Sequence, residues 1–208
     1  MKRLFIALIA ISGLATTANA QEFGFAKGNV IVEGNIGFNS TNNKNTEEKE
    51  SAFNFNPKVG YFLTDKFAIG VDVAFNTMKA EDETVGSEVK TNAFGAGVFG
   101  RYYFLELGKR FKTYTEIGVA YGNNKTETTP ATGATTITEK ANGFAIGAGV
   151  GASYFLTEKI ALNFALVDLI GYRSLKPDGG KAVSEFGLNA GNVNNIFDAA
   201  TFGLTFKF

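Results

Sequence analysis

Seven charged side chains occur one at a time in stretches of the sequence that are otherwise apolar or small. They are Glu33, Lys58, Asp72, Arg101, Lys112, Glu116 and Lys207. Charges removed from water must be paired or kept wet, so such residues predict either ion pairs that fill an interior or a narrow path for ions. A conducting path would need Arg101 to exchange partners. We favour the structural interpretation, in which the charges fill the interior.

The residues that most often perform catalysis are missing from this sequence. Its 208 residues include no Cys and no His, which excludes disulfides, thiolate chemistry and every Ser-His triad. The 20 basic and 20 acidic side chains balance, so the chain lacks the positive field that attracts nucleic acid. We therefore predict that the protein is not an enzyme, has no catalytic residues, no metal or cofactor site, and does not bind nucleic acid.

Two local motifs suggest binding chemistry but have simpler explanations. Residues 95–100 match the GxGxxG pattern of dinucleotide sites, yet the aromatic sequence at 101–104 that follows does not begin a helix. We expect these glycines to face a barrel interior instead. Acidic residues at 47–50 and 81–83 could bind divalent cations. Their flexible, lysine-containing surroundings favour solvated loops.

Alternation of apolar and polar residues predicts that the chain consists of strands. From 200 to 208 the even positions are apolar and the odd ones are polar or small, which is the pattern of a strand with one apolar face. Seven earlier segments alternate in the same way, so we predict eight strands. The alternation slips near Asp168, which indicates a bulge or a membrane boundary. The segments are 28–38, 53–61, 67–76, 94–104, 111–121, 143–154, 160–166 and 200–208.

The two faces of these strands distinguish a soluble barrel or sandwich from a membrane barrel. One face carries Phe, Val, Ile, Leu and Tyr, and the other carries Gly, Ala, Ser, Asn and the seven charges. A soluble fold would expose the glycine-rich strip 143–151 to water. Those glycines also argue against a membrane helix at 141–157, because each costs about 1 kcal/mol relative to Ala. Eight strands leave an interior just wide enough for side chains. We therefore predict an all-β fold, an eight-stranded antiparallel up-and-down transmembrane β-barrel.

The connections between the predicted strands alternate in length. Long polar segments at 39–50, 79–88, 123–139 and 174–195 are separated by tight turns. Membrane barrels have short periplasmic turns and longer extracellular loops. An even number of strands then places both termini in the periplasm.

The sequence Tyr-Phe-Leu ends three of the strands, beginning at Tyr61, Tyr103 and Tyr154. Aromatic residues at one end of successive strands form a belt at the membrane surface. We assign a periplasmic-side belt to Tyr61, Tyr102 and Tyr154. The alternation places Tyr103 inside but Tyr61 and Tyr154 outside, which indicates that at least one strand is out of register by one residue.

The first twenty residues have the composition of a secretory signal peptide. Lys2 and Arg3 precede an apolar run at 4–14, and Ala18-Asn19-Ala20 forms a small-x-small cleavage site. The run is too short to span a bilayer. We predict a signal peptide at 1–20 and a single barrel domain at 21–208.

The chain resembles the eight-stranded bacterial outer-membrane barrels, namely the OmpX-like proteins and the transmembrane part of OmpA, within the porin family. The resemblance rests on the signal peptide, the strand count, the unequal loops and the terminal Phe208. The resemblance implies a monomer in the lipid of the outer membrane of a Gram-negative bacterium. It also implies recognition of the last strand, at Phe206 and Phe208, by the barrel-assembly machinery. We expect no peptidoglycan-binding domain after the last strand, which would distinguish this chain from full-length OmpA.

Two functions remain open for such a barrel. The first is a structural or cell-surface interaction role, in which long extracellular loops at 39–50, 123–139 and 174–195 contact an unidentified extracellular ligand. The alternative is a narrow porin-like channel for ions or small solutes, which would need a continuous wet path past Arg101 and Glu116. We favour the first.

Overall fold

The computed structural model describes residues 23–134, 136–188 and 201–208. Within these residues no helix is both long and apolar enough to cross a membrane. The predicted signal peptide lies outside the described residues, so the boundary after residue 20 stays a prediction. The strands are β1 (Val30–Asn43), β2 (Glu48–Phe62), β3 (Phe67–Asp82), β4 (Ser87–Leu107), β5 (Phe111–Thr129), β6 (Thr136–Phe155), β7 (Ile160–Pro177), β8 (Val183–Leu188) and β9 (Thr201–Lys207).

The strands close into a ring by antiparallel pairing of neighbours. Each strand from β1 to β7 pairs with the next, and β9 pairs with both β7 and β1. β8 and β9 both pair with β7, at 170–175 and 160–165 respectively. These two strands therefore share one position in the ring, which has eight positions. The predicted all-β, eight-stranded antiparallel barrel is confirmed.

The strands run further than the sequence pattern predicted at one end of the barrel. Among the described residues, the segments predicted as long loops are largely strand, and the connections there cover 44–47, 83–86, 130–134 and 178–182. Residues 189–195 of the fourth predicted loop lie outside the described residues. β8 lies inside the predicted loop 174–195. Water surrounds both faces of a strand beyond the membrane, so Asn, Thr, Lys and Glu occupy both faces and the apolar alternation disappears. The prediction of long loops was therefore wrong for 39–50, 79–88 and 123–139.

We call this end, with its turns at 44–47, 83–86 and 130–134, the distal end. The opposite end, where β1 begins and β9 finishes, is the terminal end. The backbone of Phe208 continues the pairing there, because its N–H donates to the Val30 carbonyl and its carbonyl accepts from the Val30 N–H, at 2.8 and 3.0 Å. Phe206 lies on β9 between Ile160 of β7 and Val32 of β1.

The apolar face of the barrel points outward, as predicted for contact with lipid. Ile36 and Val98 are more than half exposed, whereas Glu33 and Arg101 are 1% exposed in the interior. Tyr61, Tyr102 and Tyr154 all point outward near the terminal end. A second aromatic belt, which was not predicted, lies nearer the distal end. Its members are Phe38, Phe53, Phe75, Phe94, Tyr121 and Phe144.

The distance between the two belts fits a bilayer. Tyr61 and Phe53 are eight residues apart along β2. At about 3.3 Å per residue and a tilt of about 40°, that separation spans roughly 20 Å of barrel height. Transmembrane barrels carry an apolar band about 25 Å tall. The belts therefore mark the two edges of the membrane-facing surface.

Local register shifts explain the irregularities in the sequence pattern. Tyr103 is buried inside the barrel while Tyr61 and Tyr154 point outward, and the pairing of β4 with β5 shifts between Tyr103 and Leu105. The three Tyr-Phe-Leu segments are thus not equivalent, and the expectation of a misplaced strand was wrong. Along β7 the pairing with β6 shifts on both sides of Asp168, so the slip there is a pair of bulges.

Candidate functional site

The interior of the barrel is organised around the buried guanidinium of Arg101. It donates to both carboxylate oxygens of Glu33, from Nη1 at 2.8 Å and from Nη2 at 3.1 Å. It also donates from Nε to Glu116 at 2.7 Å. Glu33 further accepts from Thr205 at 3.0 Å and from Asn35 at 3.1 Å. Arg101 is therefore fully engaged by two acids from β1 and β5, the arrangement that a buried charge requires.

The pairing register places Lys58 and Asp72 beside this network. Thr205, Glu33, Lys58 and Asp72 lie directly opposite one another on the successive strands β9, β1, β2 and β3. The ammonium group of Lys58 contacts Glu116 rather than its direct neighbour. Asp72 instead accepts a hydrogen bond from the Asn56 amide, at 3.0 Å. Glu33, Lys58, Arg101 and Glu116 thus form one group, which we call the charged floor, and Asp72 lies outside its ion pairs.

The remaining two predicted residues point inward nearer the terminal end. Lys112 pairs with Glu106, and Lys207 donates to the carbonyl of Gly24 at 2.7 Å. Neither residue joins the charged floor. Of the seven charges, the structure therefore brings four into one network and places three elsewhere in the interior.

An aromatic layer lies directly below the charged floor, toward the terminal end. The guanidinium carbon of Arg101 is 4.2 Å from the centroid of the Tyr114 ring, a distance at which a cation and an aromatic face attract each other. The Tyr114 hydroxyl donates to Asn163 at 2.9 Å. Tyr103 packs against Tyr114, with ring centroids 5.4 Å apart. These buried aromatics leave no room beside Arg101 on that side.

The segment that precedes β1 completes this layer. The Phe25 ring lies 4.4 Å from Phe62, 4.8 Å from Tyr103 and 5.0 Å from Phe155, measured between centroids. The Arg110 guanidinium lies 4.4 Å from the Phe23 ring. We call residues 23–28 the N-terminal plug. The alternation pattern did not predict this plug, whose signal in the sequence is the pair of aromatic residues, Phe23 and Phe25, in a short lead without alternation.

Gly151 makes room for the aromatic layer. A Cβ at this position would lie 2.3 Å from the Tyr114 ring and 2.6 Å from the Phe164 carbonyl oxygen. We expect Gly151→Ala to lower the free energy of unfolding by about 1–3 kcal/mol, the cost of overpacking a filled interior. Urea unfolding in lipid vesicles, followed by circular dichroism, measures this change. Gly118→Ala is the matched control, because there the nearest atom is 3.6 Å away, and equal losses would contradict the explanation.

Above the charged floor, toward the distal end, the lumen widens into a cavity of about 700 Å³. The side chains of the floor form one side of it, and the pair Arg173 and Glu185 lies further toward the distal end. Glycines on three neighbouring strands and on β8 keep the space free, because they project no side chain. They are Gly118, Gly147, Gly149, Gly171 and Gly187. The glycines at 95–100, which match a dinucleotide motif, lie on strand β4 and do not precede a helix.

Lysines form ion pairs with acidic residues near the distal turns. Lys49 pairs with Glu83, and Lys79 pairs with both Glu81 and Glu88. The hydrogen bond from Lys79 lowers the pKa of Glu81. Among the residues described, no three metal-ligating side chains come together. Glu81 and Glu83 therefore act as members of surface ion pairs.

Comparison with known proteins identifies the architecture. A family model described as outer membrane protein beta-barrel domain matches residues 5–208. The crystal structure of the outer membrane protein OprG from Pseudomonas aeruginosa superposes with a TM-score of 0.50 at 15% identity, covering 89% of this chain and 98% of that one. A major outer membrane protein from Thermus thermophilus superposes with a TM-score of 0.51 at 15% identity, covering 86% of this chain and 99% of that one. No curated protein matches the sequence.

Proposed function

The chain belongs to the outer membrane protein beta-barrel family, and from that premise we propose that it is a closed barrel acting at the cell surface through its distal end. The filled terminal half of the lumen carries this proposal. Arg101, Glu33, Tyr103 and Phe62 are all buried across this half of the interior, and the N-terminal plug packs beneath them. A role in membrane structure or surface interaction needs no open path.

The proposed orientation places the terminal end in the periplasm and the distal end outside the cell. Extended structure on the extracellular side is the rule for such barrels. In this orientation Phe206 and Phe208 end the strand that the barrel-assembly machinery would recognise, and the outward apolar band meets lipid around a monomer. Localisation in the outer membrane of a Gram-negative bacterium follows from the family. The orientation and these partners are part of the proposal.

Among the described residues, the surface available for interaction is a collar made mainly of strands. We define the collar as 39–52, 77–93, 123–134, 136–142 and 174–186, the parts that extend past the distal aromatic belt. Lys79 and Lys125 lie in this collar, each bonded to a neighbouring Glu. The backbone of a strand is ordered without a partner, so binding this surface costs less backbone entropy than binding flexible loops. An extracellular ligand would contact this collar.

A narrow channel for ions or small solutes is the second candidate function. The cavity of about 700 Å³ reaches the charged floor, and the barrier below it consists of side chains that can rotate. A channel would open if Arg101 exchanged partners and Phe25 left the aromatic layer. The two functions therefore differ in whether the barrier moves.

Conductance in a planar bilayer tests the closed barrel. We expect no steady openings from the refolded wild type, and openings from the Phe25→Ala/Arg101→Ala double variant, because it removes both layers of the barrier. Lys49→Ala, which changes only an exposed ion pair, should behave as the wild type. Heat-modifiable migration on gels confirms that each variant is folded. Steady wild-type openings whose ion selectivity changes in Arg101→Ala would overturn the closed barrel and establish the channel.

A further inference from the structure

We propose that the cavity above the charged floor binds a small cationic amine, with the carboxylate of Asp72 as its counter-ion. The cavity is about 700 Å³, within the range of about 300–1,000 Å³ that small-molecule sites occupy. This binding does not depend on whether the lumen conducts. It depends on charge and on a carboxylate oxygen that the described side chains leave without a hydrogen-bond donor.

The charges that line the cavity are not balanced. Four carboxylates and three basic groups face it: Glu33, Asp72, Glu116, Glu185, Lys58, Arg101 and Arg173. Each base is already paired, since Arg101 binds Glu33 and Glu116, Lys58 binds Glu116, and Arg173 binds Glu185. Among these described side chains Asp72 is the carboxylate without an ion pair. The described side chains that line the cavity therefore carry one negative charge in excess.

The arrangement of the strands leaves the Asp72 carboxylate without an ion pair. Lys58 is its direct neighbour across the β2–β3 pair, but the Lys58 ammonium contacts Glu116. The Asn56 amide donates to Oδ2 of Asp72 at 3.0 Å. The other oxygen, Oδ1, lies over Gly97, where a Cβ would come within 2.8 Å of it. Glycine at 97 thus leaves space for the carboxylate, and within the described part of the chain no donor reaches Oδ1.

A second unpartnered acceptor lies beside the cavity but is closed off from it. Asn35 is 6% exposed, and its Oδ1 has no hydrogen-bond partner among the described residues. A Cβ on Gly203 would lie 2.1 Å from this oxygen, so Oδ1 faces β9 rather than the cavity. The acceptor that a ligand in the cavity can reach is therefore Asp72.

These features define the chemical class of the ligand. A free anionic acceptor in a cavity with excess negative charge favours a donor with positive charge. The excess negative charge would repel an anion, and both arginines that could attract an anion are already paired. A short aliphatic chain with a primary ammonium group satisfies all of these conditions.

Titration with three four-carbon probes tests the site. We would add 1,4-diaminobutane, 1,4-butanediol or succinate to the refolded, isotope-labelled barrel in micelles and follow backbone amide shifts. We expect saturable shifts with the diamine alone, centred on Asp72, Gly97 and Asn35. Shifts confined to the collar would show a surface charge effect and would overturn the proposal, as would the absence of saturation.

Two matched variants separate the site from general electrostatics. Asp72→Asn keeps the size of the side chain and removes its charge, so we expect the diamine affinity to fall about tenfold or more. Asp178→Asn makes the same change at an exposed turn of the distal end and should leave the affinity within about twofold. If Asp72→Asn does not fold, the wild-type shift map decides alone. If the wild type and Asp72→Asn bound the diamine with equal affinity, Asp72 would not be its counter-ion and the proposal would be overturned.

Discussion

Replacing Arg101 by alanine should lower the free energy of unfolding by about 3–5 kcal/mol, the cost of leaving a buried charge unpaired. Arg101 and Glu33 are each 1% exposed, and the guanidinium donates to both oxygens of that carboxylate. Without it, Glu33 keeps only the neutral donors Thr205 and Asn35. The loss should appear in urea unfolding of the vesicle-embedded barrel, followed by circular dichroism because the chain contains no Trp.

An exposed ion pair provides the control for this prediction. Lys49 and Glu83 are 40% and 50% exposed in their side chains, so Lys49→Ala should change the stability by about 0–1 kcal/mol. Adding Glu33→Gln to Arg101→Ala removes the unpaired charge and should restore part of the loss. If Arg101→Ala were no more destabilising than Lys49→Ala, the charged floor would not hold the barrel together. Such a result would also weaken the closed-barrel proposal.

Replacing Phe25 by alanine should lower the free energy of unfolding by about 3 kcal/mol, although this residue precedes the first strand. Its ring packs against Phe62, Tyr103 and Phe155 at centroid distances of 4.4–5.0 Å. Truncation of a packed Phe costs about 3–5 kcal/mol, and each aromatic pair adds about 0.5–1.5 kcal/mol beyond its buried area. We take the lower figure because Phe25 is only partly buried.

A lipid-facing Phe is the matched control for Phe25. Phe38 points outward and is 73% exposed, so Phe38→Ala removes the same atoms without emptying the interior and should cost less. Near-ultraviolet circular dichroism gives a second readout, because Phe25 packs on Tyr103 inside the barrel. The signal should fall in Phe25→Ala and persist in Phe38→Ala. Equal behaviour of the two variants would show that the N-terminal plug does not contribute to the interior.

The strands within the membrane were predictable because lipid imposes one rule on every residue. A side chain such as Ile36 or Val98 faces hydrocarbon, and its neighbours along the strand face the lumen, so polarity reports the side directly. The inward positions of Glu33 and Arg101 followed from that alternation. The strands beyond the membrane could not be recognised, since β5 continues to Thr129 with water on both faces.

The sequence by itself thus determined the fold class, the outward apolar face and which charges enter the lumen. The tertiary structure alone decided how those charges pair. Lys58 lies opposite Asp72 yet contacts Glu116, whose position depends on how the strands are staggered around the closed ring. The same closure brings Phe25 beneath residues of β2, β4 and β6. Alternation along one strand specifies only whether each side chain points into or out of the barrel. A contact across the lumen depends in addition on the register of every strand in between.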